Sequence, residues 1–493
     1  MVPHMNTEGS LPRDQAAAGG QDSGGRDVLF AWIAVTLLFV LTSLPAPPAG
    51  GQLLPVGSEF RIDTYPAESQ RFPAVAADPD GDFVVVWSDR NFTQPSPDGD
   101  LFGVFGQRVA RAGTPIGTEF QINSYTTGNQ RFPTVAAGVD GDFLVVWEGR
   151  GATGDGIFGQ RYDSASVPLG TEFQVSAGGV NAPVLSASPQ GGSLVAWWGG
   201  SDGGPFGGIF GQRYDRGGTQ QGTAFQANSY TTGTQRNPAV AAQADGGFVV
   251  VWESYKQDGG GYGVFGQRYD SSGARRGTEF QVNTYTSYSQ RSPAIASDGA
   301  GDFVVVWESY KQDLSSYGVF GQRFDSAGAP RGTEFQVNTE TAFDQRAPAV
   351  ASDPEGRTVV LWSSIGQDGD GRGIFGQEFD ATGARVNQEF QVNSYTTGDQ
   401  DTPAVAVSAR GTLLVVWDAS QNGVFGQRYE SQSCAGDCSG DRIVSVDELV
   451  SGVNIALGNS PVGVCPAFDS NRSDTVSINE LLGAVNAALN GCD

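Results

Sequence analysis

Two stretches near the C-terminus carry oxygen-bearing side chains at the spacing of a calcium-binding loop. Calcium takes roughly six to eight oxygen ligands, and a loop of about twelve residues supplies them from alternate positions and a final bidentate glutamate. The two loops would contribute, in order, Asp437, Ser439, Asp441, the Ile443 carbonyl, Ser445 and Glu448, and then Asp469, Asn471, Ser473, the Thr475 carbonyl, Ser477 and Glu480. This pattern predicts two Ca²⁺ ions as cofactors.

Each loop is followed by one helical pattern, Asp447–Leu457 or Asn479–Leu489. This arrangement resembles a dockerin domain over residues 434–493, a family built from paired half EF-hands without an entering helix. The resemblance implies two calcium ions and a protein partner, typically a cohesin. The sequence departs from the family where Arg442 and Asp474 replace the usual turn glycine, and it lacks the hydroxyl pairs common in partner-recognising dockerins.

All four cysteines of the chain lie in this C-terminal segment: Cys434, Cys438, Cys465 and Cys492. An even number of cysteines in a small exported module predicts two disulfide bonds, and four cysteines allow three pairings. A zinc site with four thiolate ligands is the alternative. It fits less well, because no two cysteines have the two-residue gap usual for zinc. The pairing stays open at the level of sequence.

Histidine chemistry is not expected in the exported protein. His4 is the only histidine, and it lies in an N-terminal segment expected to be removed. A Ser-His-Asp triad, a Cys-His pair and a histidine-ligated metal are therefore excluded. Glycosidase chemistry stays open, because it needs only two carboxyl groups at a suitable separation. The chain has 54 acidic residues, so composition does not single out such a pair.

One block of about 55 residues recurs seven times and determines the expected architecture. Each copy has an apolar run that ends in a tryptophan and is followed by a Phe-Gly-Gln triplet. The tryptophans are Trp87, Trp147, Trp197, Trp252, Trp307, Trp362 and Trp417. Four short strand patterns in each copy match a β-propeller blade. An open β-solenoid and a string of small sandwiches fit less well, since a sandwich domain needs about 100 residues.

The sequence also predicts how the ring closes. The array opens with the lone strand pattern Glu59–Ile62 and ends after the strand pattern Phe425–Tyr429. The first strand would complete the last blade and remove an exposed sheet edge. The expected fold is therefore an all-β seven-bladed β-propeller over residues 52–432 with a small α-helical EF-hand or dockerin-like domain over residues 433–493.

Two kinds of loop are expected on the two faces of this ring. Turns rich in Asp, Ser and Gly are tight and share one face, whereas the connections after each tryptophan and before each proline are longer and share the other. We call the second the long-loop face and expect a ligand there, because exposed loops on a rigid scaffold carry binding sites. Positions that differ between blades are better functional candidates than positions that repeat. The candidate ligand residues are Tyr255, Asp258, Tyr310, Asp313, Asp368 and Asp401, of which Asp401 replaces an arginine.

The N-terminal segment predicts export. Residues 28–44 form an apolar stretch without charges, followed by proline and alanine. We expect residues 1–51 to be a signal peptide cleaved near Ala49, with an uncleaved membrane anchor as the alternative. The protein would then be secreted or located at the cell surface. Its net charge of −25 argues against nucleic acid as a partner, because phosphate binding needs a basic surface.

Two functions fit these features. The favoured one is a non-catalytic binding or scaffold protein for a glycan or protein ligand, with a calcium-binding tail. The alternative is a secreted carbohydrate-active enzyme of the glycoside hydrolase type, with the propeller as catalytic domain and a dockerin tail. Carboxyl groups present in only one or two blades would favour the enzyme, whereas near-equivalent sites in several blades would favour the binder.

Overall fold

The computed structural model describes residues 53–64, 70–90, 101–200, 207–409, 411–419, 423–431, 435–438, 444–469 and 475–490. The chain divides into two units, Met1–Ala49 and Gly50–Asp493, and every described residue belongs to the second. The apolar segment 28–44 and its predicted export role lie outside the described residues. Among the helices that the structure describes, none is long and apolar enough to span a membrane.

The described residues form seven four-stranded antiparallel sheets. In chain order the strands are β1 (Leu53–Arg61), β2 (Gln70–Ala77), β3 (Phe83–Arg90), β4 (Phe102–Val109), β5 (Pro115–Gln121), β6 (Gln130–Ala137), β7 (Phe143–Gly151), β8 (Gly154–Tyr162), β9 (Pro168–Ala177), β10 (Val180–Ala187), β11 (Ser193–Gly199), β12 (Gly208–Tyr214), β13 (Gln220–Gln226), β14 (Gln235–Ala242), β15 (Phe248–Tyr255), β16 (Tyr262–Tyr269), β17 (Arg275–Gln281), β18 (Gln290–Ser297), β19 (Phe303–Tyr310), β20 (Tyr317–Phe324), β21 (Pro330–Gln336), β22 (Gln345–Ser352), β23 (Thr358–Ile365), β24 (Arg372–Phe379), β25 (Arg385–Gln391), β26 (Gln400–Val407), β27 (Thr412–Ala419) and β28 (Gly423–Ser431).

These sheets are the blades of a seven-bladed all-β propeller, as predicted. Blades 1 to 6 each use four consecutive strands, from β2–β5 to β22–β25, and the first strand of each blade contacts the first strands of its two neighbours around the ring. Blade 7 combines β26, β27 and β28 with β1. β1 runs antiparallel to β28, with Phe60 opposite Gly426 and Arg61 opposite Phe425, so the predicted closure is confirmed.

The apolar core lies between the blades, with one buried cluster at each of the seven junctions. Between blades 4 and 5, Trp307 packs together with Val305 of its own strand and with Val249 and Val251 of the preceding blade. The strands that end in tryptophan are apolar on both sides because both sides face another blade. All seven tryptophans are buried, which confirms their predicted core role.

The Phe-Gly-Gln triplet has a packing origin. A Cβ atom added at Gly321 would lie 2.8 Å from Cζ of Phe335, the phenylalanine of the outer strand that crosses it. The following Gln322 is buried, and its Nε2 donates to the Arg331 carbonyl of the outer strand at 3.4 Å. The triplet therefore joins the third and fourth strands of the blade.

Polar contacts also tie each blade to its neighbour. Glu334 on the outer strand of blade 5 accepts hydrogen bonds from the backbone N–H and the hydroxyl of Thr284, at 2.5 and 3.0 Å, in the loop that follows blade 4. On the tight-turn face, Arg268 of blade 4 donates to the carbonyls of Ser326 and Ala327 in blade 5. These side chains repeat along the chain because they hold the ring together.

The C-terminal segment contains two short α-helices, α1 (Val446–Ala456) and α2 (Ile478–Asn490), and the 3₁₀ turns Val462–Val464 and Pro466–Phe468. The described part of this segment has a small core of its own around Phe468, which is fully buried.

One predicted disulfide is confirmed, between Cys438 and Cys465. A zinc site with four thiolate ligands is therefore wrong, because two of the four sulfurs are bonded to each other. Cys434 and Cys492 lie outside the described residues. Their bond is the only second pairing left and stays a prediction.

We expect Gly321→Ala to destabilise the propeller by about 1–3 kcal/mol, because the new methyl group forces the Phe335 ring out of its position. Chemical denaturation of the variant and the parent measures the change. Gly179→Ala is the control, since a Cβ there meets nothing within 4 Å. Equal destabilisation by both substitutions would contradict this account.

Candidate functional site

The residue after each tryptophan lies at the long-loop end of the second strand and varies between blades. It faces the second residue of the inner strand, as in the pairs Glu253 with Arg236 and Asp418 with Asp401. In chain order these positions hold Ser88, Glu148, Trp198, Glu253, Glu308, Ser363 and Asp418. Acidic side chains thus occur there in four of the seven blades. Sequence reasoning noticed Trp198 as a departure from the repeat but did not identify the four acids, although variation from blade to blade is the signal that could have found them.

A β-bulge follows these pairs in every inner strand. The residue before the proline has a positive φ in all seven blades: Phe72, Phe132, Ala182, Asn237, Ser292, Ala347 and Thr402. Because it recurs in every blade, we assign this strained conformation to the fold. A bulge re-aims backbone groups, and here the N–H of Ala347 donates to Oε1 of Glu308 in the neighbouring blade at 2.8 Å.

Blade 7 alone places two carboxyl groups opposite each other, Asp401 and Asp418. Thr402 lies between them: its hydroxyl donates to Oδ1 of Asp418, and its N–H donates to Oδ1 of Asp401 at 3.0 Å. Asp401 also forms an ion pair with Arg372 at 2.5 Å. Burial and the neighbouring Asp401 raise the pKa of Asp418 to about 7, and Arg71 opposes that shift. Asp401 is a predicted ligand residue, and the structure supplies the partner that sequence reasoning did not identify.

Blades 4 and 5 hold two acids that are more deeply buried. Glu253 accepts from Arg236 Nε at 3.1 Å and from the Asn237 amide, whereas its Oε2 has no hydrogen-bond partner among the described residues. Burial raises the pKa of Glu253 to about 7, with a further contribution from Glu308 and an opposing one from Arg236 and Arg291. Burial also raises the pKa of Glu308. Neither carboxyl is exposed enough to contact a ligand directly, since Glu253 is fully buried and Glu308 is only 7% exposed.

Two predicted ligand residues, Tyr255 and Tyr310, belong to a cluster of aromatic rings and cations on the long-loop face. The Tyr255 and Tyr262 ring centroids are 5.1 Å apart, and the Tyr310 and Tyr317 centroids are 4.9 Å apart. The guanidinium of Arg236 lies 4.4 Å from the Tyr262 ring centroid. We call Tyr255, Tyr262, Tyr288, Tyr310, Tyr317, Lys256, Lys311 and Arg291 the aromatic–cationic cluster.

The other three predicted ligand residues support their own loops. Asp258 and Asp368 each accept a hydrogen bond from an outer-loop asparagine, Asn283 at 3.1 Å and Asn393 at 3.0 Å. Asp313 accepts from the N–H of Ser315 at 3.0 Å. These acids therefore shape the long loops beside the aromatic–cationic cluster.

The predicted calcium ligands are described only in part. Ser439, Asp441, Ile443, Asn471 and Ser473 lie outside the described residues. Ser445 caps α1 and forms a reciprocal capping box with Glu448, and Ser477 and Glu480 repeat the same backbone contacts at α2. Among the residues that the structure describes, no group of three or more His, Cys, Asp or Glu side chains could hold a metal ion.

Glu448 also spans its loop. Its Oε1 accepts from the N–H of Cys438 at 2.8 Å, directly after Asp437 at the first loop position. The carboxylate expected to close the calcium site thus lies beside the start of its loop. Val444 and Val476, which lie at the eighth position of the first and second predicted calcium loops, are both buried.

No family model and no curated protein match this chain at a significant level. Solved structures do match. An ulvan lyase from a polysaccharide-lyase family has a TM-score of 0.50 at 10% identity, covering 76% of this chain and 95% of the lyase. A protein of unknown function from Dyadobacter fermentans has a TM-score of 0.47 at 13% identity, covering 79% and 100%. An α-L-arabinanase from Penicillium chrysogenum has a TM-score of 0.43 at 12% identity, covering 76% and 98%. The likeness to the lyase shows a shared fold.

The buried acids predict how stability changes with pH. The pKa of Glu253 is raised from 4.5 to about 7 in the folded state, so its stabilising contribution is complete below about pH 4.5 and lost as the pH rises through 7. We expect the free energy of unfolding to fall by on the order of 3 kcal/mol as the pH rises across this range, through this group alone. Denaturation at several pH values measures it. Glu253→Gln, which mimics the protonated acid, should flatten the profile, and an equally steep profile in the variant would contradict the assignment.

Proposed function

We propose that the protein is a carbohydrate-active enzyme that cleaves glycosidic bonds of a polysaccharide on the long-loop face. Asp418 is the general acid and Asp401 is the second carboxyl group. The observation that carries the proposal is the pairing of two acids in blade 7 alone. In the other six blades an arginine or asparagine occupies the position of Asp401.

The chemistry follows from the different surroundings of the two acids. A carboxyl group with a pKa of about 7 is still substantially protonated near neutral pH and can donate its proton to a departing sugar oxygen. Asp401, paired with Arg372, can act as the nucleophile or base. Residues directly opposite on antiparallel strands have Cβ atoms about 5 Å apart. Two opposed aspartates can therefore serve glycoside hydrolysis, which uses a pair of carboxyl groups about 5 to 10 Å apart.

An enzyme has better support than the non-catalytic binder favoured from the sequence. The acid pair occurs in one blade, which is the pattern expected of an enzyme, and the acids of the other blades are buried or paired, as Glu148 is with Arg131 at 3.2 Å. The ulvan lyase provides a fold-level analogy with a polysaccharide-active propeller.

We expect Asp418→Asn to lower kcat by roughly 10²–10⁴-fold, because it removes the transferable proton while keeping the acceptor for Thr402. Reducing ends released from a polysaccharide panel, together with the ultraviolet absorbance of unsaturated products, measure turnover and separate hydrolysis from elimination. Activity should also fall as the pH rises above about 7, as Asp418 loses its proton. Glu148→Gln is the control at the equivalent position of blade 2. Unchanged turnover in Asp418→Asn would refute the assignment.

We also propose that the C-terminal segment is a calcium-binding, dockerin-like module of an exported protein. The position of Glu448 beside the first residue of its loop supports a fit to calcium. Each loop would hold one of the two Ca²⁺ ions through its own oxygen ligands. Docking of a cohesin-like protein partner is supported by exposed apolar side chains along both helices. They are Val446, Val450 and Val453 on α1, Leu457 directly after it, and Ile478, Leu482 and Leu489 on α2.

Glu448→Gln and Glu480→Gln separate calcium binding from helix capping. Glutamine preserves a capping box but lacks the charge that a calcium site needs. We expect calcium to raise the melting temperature of the parent tail and to promote cohesin binding, and expect the double variant to lose both effects while melting like the parent in chelator. Identical melting of the parent in calcium and in chelator would refute the calcium proposal.

A further inference from the structure

Five exposed residues on the long-loop face adopt a left-handed conformation that sister blades reserve for glycine. They are Lys256, Tyr288, Lys311, Leu314 and Phe343, with φ between 59° and 70°. Left-handed φ is energetically unfavourable for side chains of this size. The position of Lys256 and Lys311 is occupied by Gly366 in blade 6. The position of Tyr288 and Phe343 is occupied by glycine in other blades, at Gly128, Gly233 and Gly398. The position of Leu314 is occupied by Gly259 and Gly369.

The fold does not require these side chains. Glycine supports the same loops in the sister blades, and backbone hydrogen bonds close them in both cases: Lys311 N–H donates to Ser316 at 2.6 Å, and Gly366 N–H donates to Gly371 at 2.7 Å. Burial does not compensate the strain either, since Tyr288 is 54% exposed and Phe343 is 65% exposed. Unlike the strained residue before each proline, these five are confined to blades 4 to 6. Backbone strain that does not stabilise the fold points to a function at the site.

The chemistry of the cluster favours a negatively charged ligand. Lys256 and Lys311 are the only lysines in a chain of net charge −25, and both lie beside tyrosine rings, with Nζ of Lys311 5.2 Å from the Tyr310 centroid. Arg291 lies 5.0 Å from the Tyr262 centroid. Among the described residues, neither lysine forms an ion pair with a carboxylate, whereas Arg291 lies close enough to Glu253 and Glu308 to oppose the rise of their pKa values.

The tyrosine rings beside these cations provide apolar surfaces on which a sugar ring could pack. Tyr288 meets Tyr310 edge to face at 5.7 Å, next to Lys311. Exposed aromatic faces pack against the apolar faces of sugar rings, while cations pair with substituents that project from them. Blades 4 and 5 repeat the same tyrosine and lysine positions, which matches a polymer with charged groups at regular intervals.

We infer that the aromatic–cationic cluster is a subsite for an anionic polysaccharide, one that carries uronate carboxylates or sulfate esters. The inference rests on the proposed polysaccharide-cleaving function and specifies its substrate class. The strained side chains project into solvent to contact the polymer, and blade 7 carries out the cleavage.

Glycine substitutions test the subsite without threatening the fold. Lys256→Gly/Lys311→Gly and Tyr288→Gly restore the residue found in sister blades, so the melting temperature should not fall. Calorimetric titration of the full chain with polygalacturonate, a sulfated galactan and neutral arabinan, at low and high salt, gives Kd for each. We expect binding of an anionic polymer that weakens with salt and is roughly tenfold weaker in the lysine variant. Arg216→Ser, which removes one charge on the tight-turn face and installs the residue of a sister blade, is the control and should leave Kd unchanged.

Each outcome decides one question. Binding of polygalacturonate alone identifies uronate as the recognised group, and binding of the sulfated galactan alone identifies sulfate. No binding to either anionic polymer, equal binding of arabinan, or parental Kd in the glycine variants would overturn the inference. Binding of an anionic polymer without cleavage would refute the proposed enzyme function and keep the subsite. Cleavage of neutral arabinan alone would keep the enzyme function and refute the subsite.

Discussion

The pairing of β1 with β28 holds the propeller closed, and the position of every other blade depends on it. Each junction buries an apolar cluster on both of its sides, so an open ring would expose two such faces as well as an unpaired strand edge. Blade 6 is adapted to this closure. Where the other blades have an arginine that reaches the next turn, it has Glu378, which accepts a hydrogen bond from the N–H of Leu53 at 3.2 Å.

A rigid ring of near-identical blades makes departures from the repeat informative. The apolar clusters, the Phe-Gly-Gln packing and the inter-blade hydrogen bonds recur because each junction has the same geometry to satisfy. The residues with left-handed backbone on the long-loop face occur only in blades 4 to 6, so they are not required by the junction geometry. Each of them nevertheless destabilises the fold by about 1 kcal/mol or more. The stability of the ring can absorb that cost, which leaves the long-loop face free to specialise.

Electrostatics divide the long-loop face into two parts. Burial favours the protonated forms of Glu253 and Glu308, which lowers the negative charge beneath the aromatic–cationic cluster. Asp418 and Asp401, in contrast, interact with arginines on blades 1 and 6, respectively, which gives the two acids different electrostatic surroundings. A net acidic protein can thereby present a local cationic surface on the same face as a pair of carboxyl groups.

The sequence by itself determined the seven blades, the closing strand and the buried tryptophans, because a repeated alternation of apolar runs and turns leaves one way to bury every sheet. It also indicated Tyr255 and Tyr310 as candidates, because they lie in the long loops, and Asp401, because it replaces the arginine of other blades. Only the tertiary structure brought Asp418 opposite Asp401 and revealed which side chains occupy left-handed backbone. Strand register and φ angles arise from contacts between residues far apart in the chain, and a single-sequence pattern does not encode them locally.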